Sequence, residues 1–322
     1  MKILNLFGEN FTSKAADILR NICETDYKEM TQEEIKKKIS GYDFIFMGLY
    51  PELNREVLEN ARNLKAIVTA TTNLDHIDLE FAQKNGIAVL SLKDEIDFLN
   101  TITGTAEMAM GLVIDLMRFS PWAFDDVKNY NWKRENWRGH NLYGKTLGIV
   151  GLGRLGKWMA RYGNAFNMNV LAASPGADTK ECEKLGVKLV DFEDLLRESD
   201  IISIHAHLKE DTKHMFNKEA FSKMKKNAFL INTAIREVVN ESDLLEALQN
   251  GKIGGYGADV LADELWFDKG FSNHPLVEYA KTHRNCIIVP HIGGMTHESR
   301  QATDIFMAKK LENFLKNWHV LK

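Results

Sequence analysis

Cysteine is scarce in this chain: Cys23, Cys182 and Cys286 are the only three in 322 residues. They are odd in number and far apart, and no C-x-x-C pair is present. That pattern excludes a disulfide framework and a thiolate metal or redox pair, and suits reduced thiols in the cytoplasm. Long apolar runs are also absent. None approaches the ~20 residues that a membrane helix needs, so no membrane partner is expected. Met1–Leu6 lacks the apolar core and cleavage site of a signal peptide and reads as a first strand. No long basic stripe is present. Against 41 Lys and Arg stand 45 Asp and Glu, for a net charge of −4 and a pI near 6.2. The run Lys36-Lys37-Lys38 is short and reads as a solvated helix face. Nucleic acid is therefore not an expected partner. Internal repeats and low-complexity linkers are missing too.

What remains is an ordinary α/β alternation with ample apolar content, 44% of 322 residues, enough for two domains. Short apolar runs at Ile3–Phe7, Phe44–Met47, Ala66–Thr69 and Ala88–Leu90 are separated by amphipathic stretches and predict a first α/β unit over about 100 residues. Residues 103–119 predict a helix with Ala106, Ala109, Met110, Val113, Leu116 and Met117 on one face. A polar segment carrying Trp122, Trp132 and Trp137 follows, best explained by packing against a neighbouring domain or subunit. From Thr146 a second α/β unit begins. Its predicted strands are Leu147–Val150, Asn169–Ala173, Lys188–Val190, Ile201–Ile204, Phe229–Asn232, Tyr256–Val260 and Ile287–Val289. A helix after Met295 runs to the end.

The most informative stretch opens that second unit. Leu147, Ile149 and Val150 form a buried strand, and Gly151, Gly153 and Gly156 follow at G-x-G-x-x-G spacing. Arg154 and Leu155 lie inside the turn, and Leu155, Met159, Tyr162 and Phe166 recur at helical intervals. Strand, glycine turn and helix make a pyrophosphate site. The first glycine permits the tight turn, the second lets phosphate approach the backbone, and the third lets helix and strand pack closely. The acid expected about 20 residues on, to hold a ribose 2′-hydroxyl, is replaced by Ser174. Serine donates to that hydroxyl without repelling a 2′-phosphate. The sequence thus names a nicotinamide dinucleotide and leaves NAD and NADP both open.

Three further clusters sit at predicted strand ends: Asn232 through Arg236, Gly257 through Glu264, and Val289-Pro290-His291-Ile292-Gly293-Gly294. The carboxyl ends of strands form the ligand crevice of a doubly wound sheet. Arg236, Asp259, Glu264 and His291 therefore converge in principle. The set suits hydride transfer to a keto acid: a histidine gives the proton, a carboxylate orients it, and a cation holds the substrate carboxylate.

The order of these motifs resembles the D-isomer-specific 2-hydroxyacid dehydrogenases. Its parts are the glycine turn, Asn232-Thr233-Ala234, Gly257-Ala258-Asp259-Val260, Glu264 five residues after that Asp, and Pro290-His291-Ile292-Gly293-Gly294. Thr71-Thr72-Asn73-Leu74-Asp75-His76-Ile77-Asp78 is similar to the family's substrate loop, and Thr105-Ala106-Glu107 to the start of its inter-domain helix. The resemblance implies two Rossmann-like or flavodoxin-like doubly wound parallel-sheet domains with a cleft between them. It places a discontinuous substrate domain at 1–101 and 292–322, a dinucleotide-binding domain at 102–291, and no extra regulatory domain. It also implies a homodimer that moves hydride between NAD, with NADP open, and a D-2-hydroxy or 2-keto acid, without a metal. By position, His291 is the acid/base, Glu264 its partner and Arg236 the third catalytic candidate. Asp259 meets the nicotinamide carboxamide. Gly151, Gly153, Arg154, Leu155, Gly156, Ser174, Thr233, Ala234 and Gly293 line the cofactor. The backbone at Thr72 and Asn73 takes the substrate carboxylate.

Three departures stand out. Asn73 replaces a usual glycine, and Ser174 replaces the ribose acid. Aligned without a gap through Val238-Val239-Asn240-Glu241, the family's catalytic arginine falls on Ile235, and Arg236 stands one residue late. Either Arg236 reaches inward, or it faces solvent or pairs with Glu237 or Glu241 and the carboxylate anchor is lost. The second outcome would suit a weak or inactive nucleotide-binding relative acting as a sensor or partner protein.

Overall fold

A computed structural model describes residues 1–264 and 271–320. The chain forms two compact units. One comprises Met1–Ile102 with Met295–Lys322, and the other is Thr103–Gly294.

The first unit holds five parallel strands: β1 (Lys2–Asn5), β2 (Glu24–Tyr27), β3 (Phe44–Met47), β4 (Ala66–Thr69) and β5 (Ala88–Leu90), in the order β2-β1-β3-β4-β5. β3 and β4 are buried along their whole length, as the apolar runs Phe-Ile-Phe-Met and Ala-Ile-Val-Thr require when helices cover both faces. β2 is a strand that the apolar pattern missed. Its sequence is Glu-Thr-Asp-Tyr, and as a sheet edge it needs no buried face. β1 ends at Asn5, earlier than the apolar run suggested.

The long helix His297–Val320 belongs to this unit and packs with the helix Ser13–Ile22, through Met307, Ala308, Leu311 and Leu315 beside Ala15 and Leu19. Asp304, fully buried, locks the two together. Its Oδ2 accepts the Thr12 N–H at 3.3 Å and its Oδ1 takes the Arg300 guanidinium at 3.0 Å. Arg300 in turn lies over the Phe7 ring at 4.2 Å.

The second unit contains β6 (Thr146–Val150), β7 (Asn169–Ala173), β8 (Val187–Leu189), β9 (Ile201–Ile204), β10 (Phe229–Asn232), β11 (Gly255–Ala258) and β12 (Cys286–Ile288). All pair in parallel, in the order β12-β11-β10-β9-β6-β7-β8. The chain leaves β6 toward β7 on one side and returns to β9 on the other. The β6/β9 boundary is thus the switch point, where a crevice opens beyond the strand ends. The helix Gly104–Arg118 covers one face of this sheet with eight buried residues. Gly257 on β11 makes room for it, since a Cβ there would sit 3.1–3.2 Å from Leu116 and Leu112. Among the described residues no helix is long and apolar enough to cross a membrane.

Removing the carboxylate in Asp304→Ala leaves the half-buried Arg300 without its partner. The expected loss is about 3 kcal/mol of unfolding free energy, the scale of a broken buried pair, measured by urea denaturation. A loss below about 1 kcal/mol, as for an exposed pair, would show that the helix does not depend on this contact.

Candidate active site

The glycine turn closes directly on the end of β6. Gly151 has φ +90°, its N–H reaches the Ala173 carbonyl at 2.9 Å, and a Cβ there would fall 2.8 Å from the backbone of His205 and Ala206, just past β9. Gly156 is tighter still, because its Cβ would lie 2.2 Å from the Gly151 carbonyl. Gly153, by contrast, faces open space. It is the N-cap of the helix Arg154–Ala165 and supplies no side-chain acceptor. The positive end of the helix dipole therefore lies beside open space, where an anion is favoured. An open glycine cradle at a helix start fits the pyrophosphate of a dinucleotide. Arg154 is the first residue of this helix, and Leu155 follows it, half-buried. Ser174 stands at the end of β7, where its carbonyl accepts the Ala177 N–H at 3.1 Å in a turn.

The second cluster is organised by two carboxylates. Glu264 is 6% exposed, and its Oε1 takes His291 Nδ1 at 2.9 Å and Arg236 Nη1 at 3.2 Å. Arg236 Nε also meets Glu237 Oε1 at 3.0 Å. Asp259, 2% exposed, lies behind the histidine. Its Oδ1 accepts the Ile292 N–H at 2.6 Å and its Oδ2 the Gly293 N–H at 2.8 Å. Gly293 is closely packed, since a Cβ would lie 2.6 Å from that Oδ2 and something would have to shift. His291 itself is left-handed, with φ +52° and its N–H on the Val289 carbonyl at 3.0 Å. Burial opposes the charge on His291, but the hydrogen bond and charge of Glu264, with Asp259 behind it, outweigh burial and the repulsion of Arg236. The imidazole is held above its ordinary value of 6.5. Burial pushes the Asp259 carboxyl up, against the pull of the two turn amides and His291.

Asn232 shapes the loop that delivers Arg236. Its Oδ1 accepts the Ala234 N–H and its Nδ2 donates to the Ile235 carbonyl, both at 3.1 Å. Sequence reasoning passed over this role, although an asparagine at a strand end is a signal for such a turn. Thr233 sits on the same loop, with its hydroxyl buried and unpartnered. Ile235 turns to the apolar core.

The structure therefore brings Arg236, Asp259, Glu264, His291 and Gly293 together. Thr72 and Asn73 lie in the first unit, both exposed, past β4. There Thr71 Oγ1 donates to the Asn73 carbonyl at 2.7 Å.

An α/β dinucleotide-binding unit with a histidine–carboxylate pair at its strand ends defines the class. Residues 110–293 match the model for the NAD binding domain of the D-isomer specific 2-hydroxyacid dehydrogenases. The chain is 34% identical over 304 residues to the D-3-phosphoglycerate dehydrogenase of Methanocaldococcus jannaschii, covering 94% of this chain and 55% of that one. It thus spans little more than half the length of the phosphoglycerate dehydrogenases it matches. Against the glyoxylate reductase of Thermococcus litoralis it is also 34% identical, covering 90% of this chain and 86% of that protein. A solved structure of D-lactate dehydrogenase from Aquifex aeolicus, complexed with NAD and lactic acid, aligns with a TM-score of 0.82 at 28% identity. It covers 98% of this chain and 96% of that one. The chain belongs to the D-isomer specific 2-hydroxyacid dehydrogenase family.

Two outcomes test this geometry. Gly156→Ala drives a methyl into the Gly151 carbonyl, so the helix must shift. NAD binding by calorimetry should weaken about tenfold or more, roughly 1.4 kcal/mol; unchanged affinity would place the anion elsewhere. The raised His291 also fixes a sign. The fold binds this proton more tightly than the unfolded chain does. Its stabilisation is therefore complete below the ordinary value of 6.5 and fades as pH rises through the higher folded value. In Glu264→Gln that slope should flatten, as followed by denaturation from pH 5 to pH 9. An equal slope in both proteins would rule out the pairing.

Proposed function

We propose that this protein is an NAD-dependent dehydrogenase that interconverts a 2-keto acid and a D-2-hydroxy acid. The observation that carries the reading is the single carboxylate oxygen of Glu264 shared by His291 and Arg236. When bound, the nicotinamide supplies or takes up the hydride. Everything else falls to side chains of this chain.

With Nδ1 donating to Glu264, the His291 proton that can move is on Nε2. The imidazole is 38% exposed, which supports its access to a substrate. In reduction, Nε2–H gives its proton to the carbonyl oxygen as that carbon gains hydride, leaving neutral imidazole. In oxidation, neutral Nε2 takes the hydroxyl proton, and Glu264 stabilises the imidazolium that forms. Asp259 holds the turn that aims the ring. Its short bonds to both turn amides support a positioning role beside the contact with the nicotinamide carboxamide that the family pattern implies.

Arg236 is the cation we assign to the substrate carboxylate. Its displacement by one residue does not carry it away, because Asn232 folds the loop so that the guanidinium reaches the same oxygen as His291. The exposed Thr72–Asn73 loop is our candidate for substrate binding within the first unit, which makes this unit the substrate domain. Ser174 opposes no 2′-phosphate, so we extend the cofactor range to NADP. Tyr130 and Trp132 are 99% and 83% exposed on the second unit, which supports a homodimer closing over them. Three widely spaced free thiols suit a cytoplasmic setting.

A panel of 2-keto acids assayed with NADH and NADPH tests the activity. His291→Ala should lower kcat by roughly 10²-fold or more while cofactor still binds. Arg236→Lys should cost about 1.5–3 kcal/mol in kcat/KM, the scale of a charged hydrogen bond. If Arg236→Lys keeps full kcat/KM and Ile235→Arg raises it, Arg236 is a bystander.

A further inference from the structure

Glu241 takes no part in the site described so far. It opens the helix Glu241–Gln249, one residue after its N-cap Asn240, yet its side chain turns inward and is 15% exposed. Oε1 accepts the Ala262 N–H at 2.8 Å. Oε2 lies 3.2 Å from Nε2 of His274, which is 11% exposed. Ala262 stands midway in the loop that begins at Asp259 and carries Glu264.

A buried carboxylate is costly unless it is paired and hydrogen-bonded. Here the carboxylate gives one oxygen to an amide of the loop and the other to His274. Leu261, 4% exposed, ties the loop to the apolar core, and among the described residues its backbone has few other anchors. Asp263 is left-handed, with φ +59°. The loop's internal bonds, Leu261 N–H to Glu264 Oε2 and Glu264 N–H to the Leu261 carbonyl, are long, at 3.4 Å each. The backbone anchors from outside are short. The Asp259 N–H reaches the Asn232 carbonyl at 3.0 Å, and the Ala262 N–H reaches Glu241. The approach to Glu264 is therefore pinned at two points, and Glu241 supplies the one nearer the carboxylate.

We propose that Glu241, held by His274, is a positioning residue of the acid–base site: it pins Ala262 so that Glu264 Oε1 stays under both His291 and Arg236. The proposal rests on reading His291 and Glu264 as the acid–base pair. Burial pushes the Glu241 carboxyl up and Asp263 adds to this, while the Ala262 amide and His274 pull it down. Tyr256 and Cys286, which also face it, are both pushed up by burial and stay neutral.

The experiment uses the full chain in four variants, with four readouts: the His291 titration by NMR without ligand, kcat and KM, NAD affinity, and the thermal midpoint. Glu241→Ala removes the pin. The His291 midpoint should fall toward its ordinary value, and kcat should drop about 10- to 100-fold, the cost of a misplaced group, with NAD affinity unchanged. Glu241→Gln still offers an oxygen to Ala262 and should recover most of that loss. Glu241→Asp keeps the charge but is one methylene short, so it should resemble the alanine variant, and it serves if that variant does not fold. Variants with a lower thermal midpoint but the parent's His291 titration and kcat would reduce Glu241 to a brace and overturn the proposal. Glu264→Gln separates the two layers. If it too leaves the His291 titration unmoved, the acid–base reading has failed. If it lowers the midpoint and no Glu241 variant does, only the role of Glu241 has failed.

Discussion

The site depends on the carboxylate of Asp259. Both its oxygens are taken by consecutive amides, Ile292 and Gly293, of the turn that carries His291. A non-glycine residue at φ +52° costs of order 1–3 kcal/mol, and it persists only where its surroundings over-determine it. Two short charge-assisted bonds from a buried side chain provide that determination. Without them the ring would relax, and Glu264 would have no fixed nitrogen to meet.

Charge is layered around that anchor. Asp259 faces backbone, Glu264 faces His291 and Arg236, and Glu241 faces backbone and His274. Asp259 and Glu264 lie in the loop that follows β11, and Glu241 opens the helix that follows β10. There the strands deliver side chains without needing their amides for further pairing. The glycine turn works by the opposite device. It removes side chains, since a Cβ at Gly151 or Gly156 would lie within 3 Å of neighbouring backbone. One edge of the sheet thus offers bare backbone at β6 and concentrated charge at β10 to β12.

Much of this was legible in the chain. Buried parallel strands are continuous apolar runs, so Phe44–Met47, Ala66–Thr69, Asn169–Ala173, Ile201–Ile204 and Phe229–Asn232 could be bounded to the residue. β2 could not, because Glu24–Tyr27 is polar and its pairing comes from the neighbouring β1 rather than from its own pattern. Asp259, Glu264 and His291 stood out by spacing. The bonds they make did not, since spacing along a chain carries no information about which oxygen meets which nitrogen.

The sequence by itself determined the parallel α/β class, the glycine turn and the strand ends at which polar residues collect. These are local matters: apolar periodicity, the absence of a Cβ, and the order of elements. Tertiary structure alone decided that the late arginine, Arg236, ends on the same oxygen as His291, with Ile235 left to the core. It alone decided that Asp259 grips a turn 33 residues away and that Glu241 reaches Ala262 rather than solvent. Such choices depend on the register between β10, β11 and β12 and on the room beneath the loops they carry. No segment of the chain encodes them alone.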